Sequence, residues 1–195
     1  IEDSCQRLGL ARIDIAFVHD LAADHLGDAW EAQFEIARTG AFRALTELRE
    51  QGVIGGWGLG VNLTEPCIRA LEVADPDLFL LAGRYSLLNP PALDRLFPMC
   101  IERGVHVVVG GPYNSGLLAG GRTFEYHEAP PAMIDRRDRI AAVCARHGVD
   151  LRAAALRFCA AHPAVAAIIP GAKHAAKVEE NARLMHAEVP AAVWE

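Results

Sequence analysis

A histidine and an aspartate, His19 and Asp20, directly follow the apolar run Ile13 to Val18 (Ile-Asp-Ile-Ala-Phe-Val). Such a run is typical of a buried parallel strand, and α/β barrels carry their chemistry where these strands end. An imidazole at a strand end can hydrogen-bond a substrate carbonyl and align it with a hydride donor. His19 is therefore the candidate catalytic residue, with a core histidine bonded to a backbone carbonyl as the alternative. Asp20 has either a supporting or a direct role.

The rest of the chain repeats a unit of strand, loop and helix. Apolar runs predict strands, and apolar residues at helical spacing predict helices. The predicted strands are residues 13–18, 53–61, 78–82, 105–109 and 164–169. The predicted helices are residues 4–10, 41–52, 64–74, 93–104, 132–147, 151–161 and a last one through 178–184. Strands that are apolar on both faces and alternate with helices predict a parallel sheet covered by helices.

Three local signals refine this pattern. Gly9 and Gly104 are expected to end their helices in the left-handed conformation, and Thr64 is the expected N-cap of its helix. A loop of residues 20–28 is longer than usual for a strand-to-helix connection, and long loops at strand ends often carry function. Residues 110–118 form a second loop of this kind, rich in glycine.

Composition narrows the class of protein. The chain has 195 residues, of which 52% are hydrophobic and 23% charged, which is ordinary for one globular domain over 1–195. A formal net charge of −6 with scattered basic residues argues against nucleic-acid and membrane partners. Five cysteines without metal-like or paired spacing disfavour disulfides and structural metal, and favour the cytoplasm. The first residues are neither an initiator methionine nor a signal peptide, so the N-terminus is expected to be truncated.

A series of short motifs gives a more specific indication. They are Arg-Leu-Gly-Leu-Ala-Arg-Ile-Asp (7–14) leading to Val-His-Asp (18–20), Leu-Arg-Glu-Gln-Gly-Val-Ile (48–54), Leu-Ala-Gly-Arg-Tyr-Ser-Leu-Leu (81–88), Gly-Gly-Pro-Tyr-Asn-Ser-Gly-Leu-Leu (110–118) and Ile-Pro-Gly-Ala-Lys (169–173) with Glu180-Asn181. Each motif alone is weak, but their order and spacing resemble the aldo-keto reductase superfamily and, within it, the sugar-dehydrogenase branch. The resemblance runs nearly from end to end of the chain.

This resemblance implies a (β/α)8 barrel of the TIM type, of which the chain is an incomplete, C-terminal portion with about five parallel strands and covering helices. In the family, the three missing strands carry an aspartate, a proton-donating tyrosine and a lysine, and His19 matches the fourth member of that tetrad. The fragment alone is therefore expected to be inactive. Because its barrel is open, unpaired strand edges also predict poor solubility or dimerisation when it is expressed alone.

The resemblance also implies residues that bind the cofactor. Asn62 matches the asparagine that binds the nicotinamide carboxamide, while Ala82 stands where its partner glutamine is usual. Gly110 stands where the family has a tyrosine stacked on the nicotinamide ring. Ser115, Gly116 and Leu117 resemble the pyrophosphate loop, and Gly110 and Gly111 are also predicted to bind the cofactor. A loop-capping asparagine and a plain turn are the structural alternatives. Arg84 and Tyr85 could line the pocket or pack on the next helix.

The adenosine side of the cofactor falls on the segment after the last strand. In the family a lysine, a serine and an arginine hold the 2′-phosphate. Here Gly171 and Ala172 stand at the lysine and serine positions, Lys177 stands at the arginine position, and Lys173 is the residue that could compensate. Glu180 and Asn181 match the adenine-side pair, with an exposed polar helix face as the alternative. Both NAD and NADP therefore remain open as cofactors.

The implied activity is NAD(P)-dependent oxidation of an aldose hemiacetal to a lactone, or reduction of an aldehyde or ketone in reverse. It requires no metal, and its partner is a small sugar or aldehyde; a homodimer is one option for the assembly. A non-catalytic, nicotinamide-binding barrel with a regulatory or partner-binding role is the first alternative. The second is another barrel enzyme with a phosphate site after its last strands.

Overall fold

The computed structural model describes residues 1–195, in which strands and helices alternate. The strands are β1 (Ile15–His19), β2 (Gly56–Val61), β3 (Leu78–Ala82), β4 (His106–Gly110), β5 (Thr123–Phe124), β6 (His127–Glu128) and β7 (Val165–Ile169). The α-helices are α1 (Glu2–Leu8), α2 (Ala23–Leu26), α3 (Trp30–Thr39), α4 (Ala41–Glu50), α5 (Thr64–Val73), α6 (Leu96–Arg103), α7 (Pro131–Arg146), α8 (Leu151–Ala161) and α9 (Ala175–Met185). None of these helices combines the length and apolar character that crossing a bilayer requires.

The five longer strands belong to one sheet in the order β1-β2-β3-β4-β7. β1 pairs with β2 and β2 with β3 in parallel, with His19 opposite Gly60 and Gly58 opposite Leu78. The α/β class with five parallel strands and helices is thereby confirmed. β5 and β6 form a separate antiparallel hairpin that the sequence pattern did not indicate.

Contacts divide the chain into two compact units. The first comprises residues 1–82 and 92–108, and the second comprises residues 83–91 and 109–195. A single domain over the whole chain therefore stays a prediction, and each unit has its own packing.

An aromatic stack anchors the helices of the first unit to its strands. Trp57 of β2 lies 5.1 Å from Phe42 of α4, and Phe42 lies 5.5 Å from Phe34 of α3, between ring centroids. All three side chains are buried. Burial of large aromatic side chains supplies much of the hydrophobic free energy of a small unit, so this stack fixes α3 and α4 against the sheet.

A guanidinium group ties α4 to the segment before β3. Arg49 donates to both Asp75 and Asp77. The Asp77 carboxylate also accepts the backbone N–H of Trp57 at 2.9 Å. Desolvation opposes the charge of Arg49, but the hydrogen bonds to Asp75 and Asp77 raise its pKa above the ordinary value. The start of β2 is thus held by a charge-assisted network as well as by its ladder.

Two local predictions about this unit need correction. Leu63, not Thr64, is the N-cap of α5, and no side chain caps that helix end. Thr64 is instead the first residue of the helix, and Pro66 still lies in the first turn, where it costs no hydrogen bond. Residues 23–28 of the predicted loop are helical, first in α2 and then in the 3-10 turn Gly27–Ala29. Gly9 and Gly104 end α1 and α6 in the left-handed conformation as predicted.

The core of the second unit gathers around α8. Its residues Ala153, Ala154 and Ala155 are fully or almost fully buried, and small side chains let the helix backbone approach its neighbours closely. The surrounding cluster consists of Leu88, Tyr113, Leu117, Leu118, Ala129, Ala153, Ala155, Leu156 and Leu184. The loop after β4 is thereby part of the hydrophobic core and not a free surface segment.

The close approach of β2 to β3 gives a stability prediction. A Cβ at Gly58 would lie 1.5 Å from the backbone oxygen of Leu78, so Gly58→Ala must break the strand pairing. We expect a loss of at least about 3 kcal/mol in the free energy of unfolding, or no folding at all. Urea denaturation followed by circular dichroism measures it. Gly171→Ala, which adds its Cβ in open space, is the control, and equal stabilities of the two variants would contradict the prediction.

Candidate functional site

His19 is the last residue of β1, at the carboxyl end of the strand where the sequence pattern expects it. Its partner in the register is Gly60 of β2. A Cβ on Gly60 would lie 3.0 Å from His19 Cδ2, closer than side chains normally approach. A side chain at position 60 would therefore crowd the imidazole, which is 69% exposed.

The residue after His19 turns the chain sharply. Asp20 has a φ of 56°, in the left-handed region that aspartate tolerates better than most residues. Its N–H donates to Gly60 O at 2.9 Å, and its carbonyl accepts the Ala22 N–H at 2.9 Å. Both bonds hold the turn. The Asp20 carboxylate oxygen Oδ2 lies 3.0 Å from His19 Nδ1 as a result.

The same carboxylate oxygen faces a second imidazole. His25, on α2, places Nε2 3.3 Å from Asp20 Oδ2, and its Nδ1 lies 3.6 Å from an oxygen of Asp24. That Asp24 oxygen accepts a hydrogen bond of 3.0 Å from Asn62 Nδ2. His19 and Asn62, two residues singled out by the sequence, are therefore joined within the first unit by Asp20, Asp24 and His25.

Sequence reasoning missed Asp24 and His25. They lie on a helix of four residues, which is too short to give a hydrophobic period. The available signal was the density of acidic and imidazole groups between residues 19 and 25, immediately after a strand end.

In the second unit, the loop after β4 contains a run of left-handed residues. Asn114, Ser115 and Gly116 have φ values of 45°, 54° and 96°. The N–H groups of Gly116 and Leu117 donate to Tyr113 and Asn114 within the turn, at 3.1 and 3.2 Å. Strained conformations of this kind persist where function or dense packing holds them.

Ser115 is half-buried and is the one predicted cofactor residue of this loop with a side-chain hydroxyl. Its hydroxyl accepts the Tyr126 N–H at 3.0 Å and is still able to donate. The Leu117 side chain is buried in the core. Gly110 ends β4, and its carbonyl accepts the Gly83 N–H at 3.2 Å, while Gly111 has a φ of 60°.

A buried polar contact, which no sequence pattern indicates, anchors this loop. Asn114 is 1% exposed, and Ser86 Oγ donates to its Oδ1. Ser86 Oγ also accepts the N–H groups of Leu88 and Asn89 at 3.2 and 3.1 Å. Both residues belong to quoted motifs, but nothing in their spacing of 28 positions indicates that they meet.

The neighbouring residues Arg84 and Tyr85 have structural partners. Tyr85 is buried, donates from its hydroxyl to Phe158 O at 3.3 Å, and stacks on the Phe158 ring. Burial raises the pKa of Tyr85 to about 12. Arg84 pairs with Glu125 at 2.7 Å. Of the two alternatives, packing describes Tyr85, and Arg84 fixes the β5–β6 hairpin.

A buried hydrogen bond connects the loop to α9. Tyr113 donates from its hydroxyl to Asn181 Oδ1 at 3.0 Å, and both side chains are 8% exposed. Burial raises the pKa of Tyr113 to about 12. The predicted adenine-side residue Asn181 is therefore held against the segment that contains the predicted pyrophosphate loop.

The exposed side of α9 carries paired charges. Glu180 accepts from Lys177 at 2.6 Å and from Arg152 at 2.5 Å, and these two cations lower its pKa. Lys173 forms no ion pair, and Gly171 is exposed with open space around it. An open cleft of about 540 Å³ lies along this side, and its lining is His174, Ala176, Lys177, Glu179, Glu180 and Arg183.

Comparison with known proteins finds a family that matches the whole chain. The model of the aldo/keto reductase family matches residues 1–195. The pyridoxal 4-dehydrogenase of Microbacterium luteolum is 40% identical over 201 residues, which cover 99% of this chain and 58% of that protein. The D-threo-aldose 1-dehydrogenase of a Pseudomonas species is 37% identical, covering 100% of this chain and 58% of that protein. The chain thus spans somewhat more than half the length of these relatives.

Solved structures agree at the level of the fold. The apo form of the aldo-keto reductase AKR11C1 from Bacillus halodurans superposes with a TM-score of 0.72 and 25% sequence identity. The match covers 98% of this chain and 63% of that one.

The bond between Tyr113 and Asn181 gives the next prediction. Tyr113→Phe removes the hydroxyl and leaves the buried Asn181 Oδ1 without its donor. We expect the free energy of unfolding to fall by about 1 to 3 kcal/mol, as measured by urea denaturation. Tyr126→Phe, at a side chain 71% exposed, is the matched control and should change nothing. Equal effects of the two changes would show that the buried bond is not stabilising.

Asp150 gives a prediction about pH. It caps α8 and accepts from Arg152, and these hydrogen bonds lower its pKa below the ordinary value of 3.8. A carboxyl group with a lowered folded-state pKa stabilises the fold above its ordinary pKa, and this contribution is lost as the pH falls through the lowered value. Asp150→Asn should therefore reduce the difference in unfolding free energy between about pH 6 and about pH 2. Urea melts at both pH values test this, with Asp28→Asn as control; an unchanged difference in Asp150→Asn would contradict it.

Proposed function

Since the chain belongs to the aldo/keto reductase family, we propose that it forms part of an NAD(P)-dependent oxidoreductase that oxidises a small sugar or aldehyde hemiacetal, or catalyses the reverse reduction. The observation that carries this proposal is the cluster that joins His19 at the end of β1 to Asn62 at the end of β2. These are the residues expected to meet the substrate and the nicotinamide amide, respectively. The names of the two relatives, which refer to pyridoxal and to a D-threo-aldose, support a small carbonyl or hemiacetal substrate.

The side chains of the first unit fit a nicotinamide carboxamide. Asn62 Nδ2 donates a hydrogen bond to Asp24. The side-chain oxygen of Asn62 is therefore the group that accepts the N–H of a bound carboxamide. A bound nicotinamide supplies or accepts the hydride, and the protein orients the reacting groups. With Asp20 beside Nδ1 of His19, Nε2 is the ring nitrogen that meets the substrate oxygen. The proton-transferring tyrosine, with its lysine and aspartate, would come from residues outside this chain.

The second unit supplies groups suited to the phosphates and the adenosine. Ser115 offers a hydroxyl in a turn of left-handed residues, and backbone turns of this type are common around phosphate. Lys173 and Lys177 are the only two lysines of the chain. Lys177 is already paired with Glu180, whereas Lys173 is unpaired and exposed. Lys173 is therefore the cation more readily available to a 2′-phosphate, and NAD remains the other choice.

Titration of the chain with NADPH and NADH, followed by nicotinamide fluorescence, tests the proposal. We expect binding of at least one dinucleotide, and Asn62→Ala should weaken both by about tenfold, because one hydrogen bond to the carboxamide is lost. Asn89→Ala changes an asparagine outside the predicted cofactor residues and is the matched control. Absence of binding to this chain and to a chain extended to the length of its relatives would refute the proposal.

The two lysines give a separate prediction about the nucleotide. If the 2′-phosphate is bound, replacing both lysines by alanine should weaken NADPH by about tenfold or more and leave NADH unchanged. The same fluorescence titration measures both affinities. Arg43→Ala, an exposed cation on α4, is the control for net charge. Equal loss of both dinucleotides would show that the lysines act on the shared part of the cofactor.

A further inference from the structure

We infer that a groove on the second unit binds a small aromatic carboxylate. The groove lies between α7, α8 and residues 193–194, and its volume is about 420 Å³. All of its lining residues belong to the second unit. None of them is among the predicted cofactor residues, so the inference does not rest on the proposed function.

One face of α7 forms the first wall of the groove. Arg136, Arg139, Ile140 and Val143 all line it, and their spacing of i, i+3, i+4 and i+7 places them on one side of the helix. The two arginines come first along the helix and the apolar residues follow. The wall is therefore cationic toward the N-terminal end of α7 and apolar further along.

Two aromatic rings form another part of the lining. Phe158 of α8 lies 6.3 Å from Trp194 between ring centroids, with 39° between the ring planes. Phe158 is half-buried and also stacks on Tyr85 at 5.0 Å, which holds its ring in place. Trp194 is 45% exposed. A flat apolar ligand that covers these rings therefore gains the burial and stacking free energy of aromatic side chains.

The charge of the groove has one sign. Arg136 and Arg139 are exposed, and neither guanidinium has an ion pair or hydrogen bond in the structure. The acidic residues of α7, Asp135 and Asp138, do not line the groove, and Asp138 accepts from Arg137 at 2.6 Å. Guanidinium groups bind carboxylates through paired, charge-assisted hydrogen bonds. Two free cations beside apolar walls therefore complement an anion, although the whole chain has a formal net charge of −6.

The size of the groove limits the ligand to a small molecule. Small-molecule sites usually measure about 300 to 1,000 Å³, with mostly apolar walls and a few polar groups that fix orientation. A smaller cleft of about 210 Å³ shares Phe158 and Trp194 with the groove and adds Arg157, again without a carboxylate. The aromatic rings favour a flat ring system, and the arginines favour an acidic group at one end of it.

An NMR titration of the 195-residue chain with 2-naphthoate tests this inference. The chain has three tryptophans, of which Trp30 and Trp57 lie in the first unit and Trp194 lines the groove. The indole N–H signal of Trp194 is assigned by its loss in Trp194→Phe. We expect this signal to shift saturably, while the signals of Trp30 and Trp57 stay in place and so control for non-specific binding.

A double variant tests the role of the charge. Arg136→Gln combined with Arg139→Gln should weaken 2-naphthoate by about tenfold, because the charge-assisted bonds are lost. The neutral analogue 2-naphthylmethanol should bind the double variant and the parent chain equally. The matched control combines Arg103→Gln with Arg146→Gln. It removes the same charge at exposed positions of α6 and α7 that do not line the groove, and it should leave both ligands unaffected.

A third variant tests the role of the shape. Val143→Phe fills the groove from the side of α7 and should abolish the Trp194 shift with both ligands. Circular dichroism and urea denaturation show whether this variant is folded, and the arginine variants test the inference independently of it.

Several results would overturn the inference. They are the absence of a saturable Trp194 shift in the parent chain, and an equal loss of 2-naphthoate binding in the two double variants. A Trp194 signal that moves on dilution without ligand would assign the groove to a second copy of the chain. Loss of binding in a chain extended to the length of its relatives would show that the protein's own residues cover the groove.

Discussion

The turn after β1 is the constraint on which the catalytic end of the candidate site depends. Asp20 adopts a left-handed conformation because its N–H is bonded to β2 and its carbonyl starts the turn toward α2. This single conformation places one carboxylate oxygen between His19 and His25. A Cβ at Gly60 would meet His19 Cδ2 at 3.0 Å, so the glycine gives the imidazole more room. The arrangement of His19, Asp20 and Gly60 thus has one geometric cause, which is the turn after β1.

In the second unit, buried polar contacts hold the loop after β4 in one arrangement. Asn114 and Tyr113 lie next to each other in the loop and reach in different directions, one to Ser86 and the other to Asn181. An unpaired polar group in such an environment costs about 1 to 3 kcal/mol, so each contact specifies one arrangement of the loop. The loop that is expected to meet phosphate is consequently anchored in the hydrophobic core, and this anchoring fixes the position of Ser115.

Much of the fold follows from the sequence, because it depends on local patterns. The apolar run at residues 78–82 predicts β3 with its observed bounds, and His19 was located from its place after such a run. Contacts between distant residues could not be predicted in this way. The pairing of Ser86 with Asn114 and of Asn62 with Asp24 depends on how the chain folds back on itself.

The elements that the pattern missed have identifiable causes. The β5–β6 hairpin turns through Glu125 and Tyr126, both with positive φ, where glycine or asparagine is the usual signal. The four residues of α2 are too few to show helical periodicity. The family resemblance, which joins many weak motifs in order, supports a proposed function that periodicity alone does not indicate.

The most direct measurement is a backbone amide NMR titration of the chain with NADPH and NADH. We predict that the amide signal of Asn62 shifts saturably with at least one of the two dinucleotides, while signals of α7 do not move. Shifts confined to α9, or no saturable shift of Asn62 with either dinucleotide, would contradict the account, because the residue beside the candidate catalytic cluster would then not sense the cofactor.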